Sequence, residues 1–465
     1  MYAGVDGHPS HQWNPPPIKV GPRVGFAYSL SAGTVLRGGY AVFWAPYAIP
    51  SGTGASEIGT YGYSAVTNLE TSVDGVTPPE ASASDPFPHG ILDPVGNAKR
   101  RLQNISGDVY FNEQYRDSPY IQKWSLDLQR NIGDTAVVKA GYVGSKGTDL
   151  AIGGTFDSVV NINQLSDSYL ALGGRLNEHY PNPFHGNSNF SSFAHEKTLP
   201  LGQLLRPYPH FRNVYARHVS GGKSFYHSLR FEFEKRFSDR WGARLNYTFT
   251  RHMDNIYESN TLVESETSSV YNTPDECAFQ KCPVLEQDYS PSLLHTPHHV
   301  NVNLMYRLPG KDKLLGGWTA SLASTARSGF PLVITQNANP LSAYGFSHQR
   351  LANVDVSGGG DPLGNTARYI TAGSVAPTQG LQVSAAPRTT AAARTPRFVN
   401  WDVAFEKTTP LFEDANLTFR FEFINVLNGV NWRGPSTVFG TSEFGRIDGN
   451  RGFPRTFQLM TKVTF

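Results

Sequence analysis

Paired runs of alternating apolar and polar residues, each about ten residues long, constrain this chain more than any other feature. The clearest pair begins at Ser224. Phe225, His227, Leu229, Phe231, Phe233, Lys235 and Phe237 share one parity, and Tyr226, Ser228, Arg230, Glu232, Glu234 and Arg236 take the other. After Ser238-Asp239-Arg240, the apolar parity continues in Trp241, Ala243, Leu245, Tyr247 and Phe249, opposite Arg244, Asn246, Thr248 and Thr250. A period of two marks strands whose two faces meet different surroundings. A slip of one residue would carry Arg230 and Glu232 onto the apolar face, so the register is firmly set. Lys235 sits on the apolar parity but beside the turn, where a charge costs least if that face meets lipid.

Four further pairs follow the scheme. Val24, Phe26, Tyr28 and Leu30 turn at Ser31-Ala32-Gly33 into Leu36, Tyr40, Val42 and Trp44. Trp124, Leu126 and Leu128 turn at 131–134 into Ala136, Val138, Ala140 and Tyr142. Val300, Val302, Leu304 and Tyr306 alternate with Asn301 and Asn303 and turn at 309–313 into Trp318, Ala320 and Leu322. Val399, Trp401, Val403 and Phe405 turn through 408–414 into Leu417, Phe419, Phe421 and Phe423. A last run, Phe457, Leu459, Thr461, Val463 and Phe465, ends the chain.

Between the pairs lie long segments, roughly 45–118, 145–223, 252–297, 328–395 and 429–454. Connections beyond about 12–15 residues are uncommon inside compact soluble domains. Short turns at one end and long loops at the other suit an all-β fold, an antiparallel transmembrane β-barrel with short periplasmic turns and long extracellular loops. Composition agrees: 17% of residues are charged, 12% are aromatic, and the 465 residues include 45 Gly and 32 Pro. No run of 18 consecutive apolar residues exists, which excludes a transmembrane helix. A net charge of +2 without a basic run gives no case for nucleic acid.

About eleven strands emerge, whereas single-chain bacterial barrels hold an even number. Residues 1–22, with Trp13 and Pro15-Pro16-Pro17, therefore read as the tail of a truncated extracellular loop, and 23–465 as the C-terminal part of a barrel. The start, Met1 onward, has neither the basic nor the apolar region of a signal peptide.

The strands also resemble a known family, the barrel of Oar-like, acidobacterial-type TonB-dependent receptors. Arg23-Val24-Gly25-Phe26-Ala27-Tyr28 with Leu36-Arg37-Gly38-Gly39-Tyr40 is similar to that family's first hairpin here. So are Ser118-Pro119-Tyr120-Ile121-Gln122-Lys123-Trp124, Tyr142-Val143-Gly144-Ser145-Lys146-Gly147-Thr148, and Glu234-Lys235-Arg236-Phe237. Phe419-Arg420-Phe421-Glu422-Phe423-Ile424-Asn425 and Phe444-Gly445-Arg446-Ile447 continue the likeness in family order. The resemblance implies about half of a 22-stranded barrel belonging to an energy-coupled receptor for a large solute. Its plug, its TonB-contacting segment and the carboxypeptidase-regulatory-like domain common in such proteins are absent here, so TonB would be reached only through the missing N-terminal region.

No catalytic constellation stands out, and neither an enzyme nor a cofactor is expected. Ser220-Gly221-Gly222-Lys223 matches S-x-x-K by chance, since a strand follows it and no Lys-Thr-Gly exists. Cys277 and Cys282 are the two cysteines, and a local loop disulfide suits an oxidising compartment. His295, His298 and His299 read as a polar strand entry rather than a metal site. Arg230, Glu232, Glu234, Arg244, Arg420 and Glu422 are candidate lumen-facing charges, lining a solute path or pairing with one another across strands. The expected partners are outer-membrane lipid, an extracellular solute and the barrel-assembly machinery. Two other functions share parts of the pattern: a non-transporting adhesion or structural surface protein on the same barrel, and a secreted β-rich carbohydrate-binding protein. Phe457, Leu459, Val463 and Phe465 resemble the C-terminal signal read by the assembly machinery. Deleting Phe465 from the complete protein should reduce its surface exposure, measured by labelling whole cells; undiminished labelling would refute the signal.

Overall fold

The computed structural model describes residue 7, residues 18–44, scattered residues between 62 and 99, and residues 102–113, 117–151, 159–217, 219–256, 288–310, 316–346, 351, 353–354, 368–371, 375–384, 386–412 and 414–465. Among them, eleven long strands form one sheet: β1 (Arg23–Ser31), β2 (Thr34–Trp44), β3 (Tyr120–Ile132), β4 (Ala136–Ala151), β5 (Ser220–Ser238), β6 (Trp241–Asp254), β7 (His298–Arg307), β8 (Thr319–Arg327), β9 (Phe398–Phe412), β10 (Ala415–Ile424) and β11 (Thr456–Thr464). Each pairs antiparallel with the next in chain order, and the two-residue Ser290–Pro291 adds to the loop end of β6. The order begins at β1 and ends at β11 without pairing those two strands. No helix among the described residues is long and apolar enough to cross a membrane, which says nothing of strands.

The register follows the alternation. Glu232 faces Lys139 on β4 and Asn246 on β6, while Phe231 faces Ala140 and Tyr247. Asp239 and Arg240 both adopt positive φ, as a two-residue hairpin with the strands' own twist requires. The Lys235 ammonium folds over that turn, donating to the Ser238 and Trp241 carbonyls at 3.0 and 3.1 Å and lying 4.3 Å from the Trp241 ring centroid. Burying the stem on the aromatic while the turn's oxygens hold the charge is how a lysine occupies an apolar parity.

Several strands run further than their alternation. β4 reaches Ala151 and β5 begins at Ser220, so the connection between them is shorter than the expected 145–223. The expected turn over 408–414 is strand almost throughout: β9 runs to Phe412, with Thr408 paired to Thr418 and Pro410 to Asn416. Pro410 fits because β8 pairs β9 only as far as Glu406. Beyond that point β9 pairs only with β10 among the described residues, and on its other edge a missing N–H breaks no ladder bond.

Apart from alanines such as Ala404 and Ala415, the buried apolar residues are not in the long-stranded sheet. Leu126, Leu229 and Phe231, all on the apolar parity, are 49%, 58% and 41% exposed. The buried clusters lie instead in the long connections, which fold together as a cap over the loop end. Leu165, Leu170 and Leu176 from the β4–β5 connection pack with Leu341, Tyr344 and Phe346 from the β8–β9 connection. Leu332, Ile334 and Ile370 of the latter pack with Phe444 of the β10–β11 connection. Buried Arg206 ties the first two connections, donating to the Ala343 carbonyl at 2.8 Å and to that of Arg212. Burial lowers its pKa to about 10, so it remains a cation at neutral pH.

Polar contacts clasp the cap onto the strand ends. Arg388, 1% exposed, forms an ion pair with Asp254, 5% exposed, and also donates to the Ile256 carbonyl. Arg394 donates to the His295 and Gly329 carbonyls at 2.9 and 3.0 Å and lies 3.1 Å from His295 Nδ1. His295 Nε2 lies 3.1 Å from the Thr250 carbonyl, which can only accept, so Nε2 carries the proton and Nδ1 accepts from Arg394. Burial holds the His295 pKa below its ordinary 6.5, with Arg394 acting in the same direction.

Two outcomes follow from the clasp. Removing one partner strands a buried charge, a loss of about 3–5 kcal/mol. Arg388→Met should therefore speed hydrogen exchange in residues 386–395 while leaving β5–β6 protected; equal protection in both would sink the clasp. A folded-state pKa below the unfolded value stabilises above about 6.5 and loses that stabilisation as pH falls through the folded value. Protection factors near Arg394, taken relative to intrinsic exchange at each pH, should accordingly fall from pH 7.5 to pH 5, and a His295→Gln variant should flatten the change.

Candidate functional site

The face opposite the exposed apolar residues carries the charges expected there. Arg230 Nη2 lies 2.9 Å from Asp127 Oδ1 across the β3–β4–β5 ladder. Glu232 is shared by Lys139 at 3.3 Å and Arg244 at 3.4 Å. Arg420 bridges Glu406 at 3.0 Å and Glu422 at 2.6 Å. Glu234 stands in register with Arg244. The groups are partly solvated, so each pair contributes no more than about 1 kcal/mol and serves to order the wall. Gly141 makes room for one of them: a Cβ there would fall 2.0 Å from Asp127 Oδ1, displacing the carboxylate that holds Arg230.

The same wall contains a concavity of about 320 Å³ lined by Arg244, Asn246, Asn301, Asn303, Asn400 and Asp402. Four successive strands, β6 to β9, supply these residues, because the pairings Asn246–Asn301, Asn301–Thr325 and Thr325–Asn400 lay their polar parities in one row. Thr325 donates to Asn301 Oδ1 at 2.9 Å, and Asn400 Nδ2 donates to Asp402 Oδ1 at 2.9 Å. The Asn425 backbone N–H also donates to that oxygen at 2.8 Å. With Arg244 and Asp402 both engaged, the concavity offers mainly carboxamide donors and acceptors. Its signal in the sequence was the recurrence of asparagine at one parity of neighbouring strands, and charge alone did not reveal it.

The three histidines do not converge. His295 is buried in the clasp, and His298 lies on the apolar face, 2.9 Å from the Tyr247 hydroxyl. His299 falls on the opposite parity, 3.4 Å from Asn301 Nδ2. Among the described residues, no three potential metal ligands come together. Cys277 and Cys282 lie outside the described residues, as do Trp13 and Pro15-Pro16-Pro17. Phe457, Leu459 and Val463 stand in register with Phe423, Phe421 and Leu417 at the sheet's last edge, and Phe465 follows β11, 87% exposed.

Comparison with known proteins adds a family. Residues 1–458 match the family model described as "Outer membrane beta barrel domain". No curated protein matches. Among solved structures, the chain is similar to the outer membrane transporter YddB from Escherichia coli, at 12% identity and a TM-score of 0.39, covering 92% of this chain and 38% of that one. It is similar to the siderophore receptor PiuA from Acinetobacter baumannii at 9% identity and 0.40, covering 94% and 35%. The ferripyoverdine receptor of the outer membrane of Pseudomonas aeruginosa gives 10% and 0.38, covering 95% and 32%. The chain thus spans about a third of the length of these structures. The exposed apolar face, the polar wall behind it and the antiparallel ladder match one family along nearly the whole chain: this is a member of the outer membrane beta barrel domain family, and it resides in the outer membrane.

Proposed function

We propose that the chain is part of the barrel wall of an Oar-like TonB-dependent receptor that moves a large solute across the outer membrane, with its turns in the periplasm and its cap at the cell surface. The polar concavity on the lumen wall beneath a folded cap carries this reading. A wall built only to span lipid has no need of a carboxamide-lined recess of about 320 Å³ beside its charge pairs. The cap would capture solute, and the Asn246, Asn303 and Asn400 row would meet it inside.

Strand parity supports the other half of the proposal. β1 and β11 are separated by an even number of antiparallel reversals, so they point the same way. An antiparallel closure takes an odd number of further strands, since open edges are not tolerated in hydrocarbon. In this reading those strands, the plug and the TonB-contacting segment come from sequence beyond residues 1–465. The buried clusters in the cap favour a second reading, a surface protein that binds partners and moves nothing.

The two readings separate in cells. Medium from cells lacking the complete gene and from complemented cells should differ in at least one solute, depleted only by complemented cells with an intact proton motive force. An Asn303→Leu variant should slow that depletion without lowering surface exposure. If no solute is depleted while the protein is surface-exposed, transport fails and the binding reading stands.

A further inference from the structure

Lys235 and Lys407 lie on the apolar parity at the turn end, and a second group of basic side chains lies on it near the cap. Lys146 of β4 faces Phe225 of β5, and His227 of β5 faces Arg251 of β6, all on the parity that carries Leu229, Phe231 and Tyr247. The depth can be estimated from the turn. His227 is ten positions from Phe237 along β5. At about 3.3 Å per residue and a tilt of about 40°, that is roughly 25 Å, the height of the apolar band of a membrane barrel. Phe237 and Trp241 sit at one boundary of the band, and Lys146, His227 and Arg251 at the other.

The cluster is held in place by aromatic side chains. The Tyr142 hydroxyl lies 2.6 Å from His227 Nδ1, and Trp124 meets the His227 ring edge-on with centroids 6.3 Å apart. Gly144 between them leaves room for the indole, since a Cβ there would fall 2.2 Å from Trp124 Cε2. Lys146 Nζ stands 5.5 Å from the Phe225 ring centroid. The Tyr142 hydroxyl can donate to Nδ1, and in that tautomer His227 Nε2 carries the proton and is a donor. Neither Lys146 nor Arg251 has a carboxylate partner among the described residues. Toward the cap, Asp149 interacts with Asp117 and Lys223, and the Tyr289 phenol lies near Arg251.

Cations without carboxylates at the membrane boundary call for an anion from the membrane itself. We propose that Lys146, His227 and Arg251 form a docking site on the outer wall for the phosphate of a phosphorylated glycolipid in the cell-surface leaflet. Lys146 and Arg251 flank the phosphate, His227 Nε2–H donates to it, and Trp124 and Phe225 pack on the sugar and the start of the acyl chains. The inference rests on the orientation proposed above, with the cap at the cell surface.

The complete protein, purified from outer membranes in mild detergent, can be tested by native mass spectrometry with diphosphorylated lipid A, its dephosphorylated form and inorganic phosphate as probes. Wild type should retain diphosphorylated lipid A at least tenfold better than the dephosphorylated form, unaffected by millimolar inorganic phosphate. Lys146→Gln with Arg251→Gln should reduce retention tenfold or more, whereas Lys139→Gln on the lumen wall should not. Equal retention of both lipids, displacement by inorganic phosphate, or an equal loss in Lys139→Gln overturns the site. Heat-modifiable migration of every variant keeps this separate from the barrel: if it persists while lipid specificity is absent, only the site has failed.

Discussion

Everything in this structure follows from the lack of water to bond backbone groups in a bilayer's interior. Each unpaired N–H or C=O there costs several kcal/mol, so the ladder from β1 to β11 pairs every long strand with its neighbours in chain order. That requirement fixes the short turns, since adjacent antiparallel strands need only two residues to reverse. It also inverts the usual burial. Leu229 and Phe231 are exposed because lipid, not a protein core, is their solvent.

The inversion moves conventional packing to the cap. Freed from the bilayer, the connections bury leucines and phenylalanines against one another as a soluble domain does, with Arg206 satisfying carbonyls between them. Sheet and cap thus obey different solvents within one chain. Where the regimes meet, the contacts are polar and buried: Arg388 with Asp254, and His295 between Arg394 and the Thr250 carbonyl.

The sheet was legible in the sequence because period two survives whatever faces it. Glu232 and Phe233 announce their sides in any register, and one slip would cost about 2–4 kcal/mol for an arginine at the midplane. The cap was not legible, because Leu165, Leu176, Leu341 and Phe346 come from two distant connections and share no period. The end of β9 was misread as turn, since Pro410 and two threonines look like a break until its pairing with β10 alone beyond Glu406, among the described residues, is seen. Of the lumen wall, charges such as Arg230 and Glu232 were visible from parity. Their partners, and the asparagine recess, needed the register of four strands.

The clasp also orders events in time. Arg388 and Asp254 are 134 residues apart, and the chain between them holds β7, β8 and two long connections. Closing so large a loop is entropically costly until the intervening hairpin has zipped onto β6. The ladder therefore assembles as a series of local reversals, and the cap locks only afterwards. Until then its leucines stay open to water, so the long connections, rather than the strands, set how much the unfinished molecule depends on protection from aggregation.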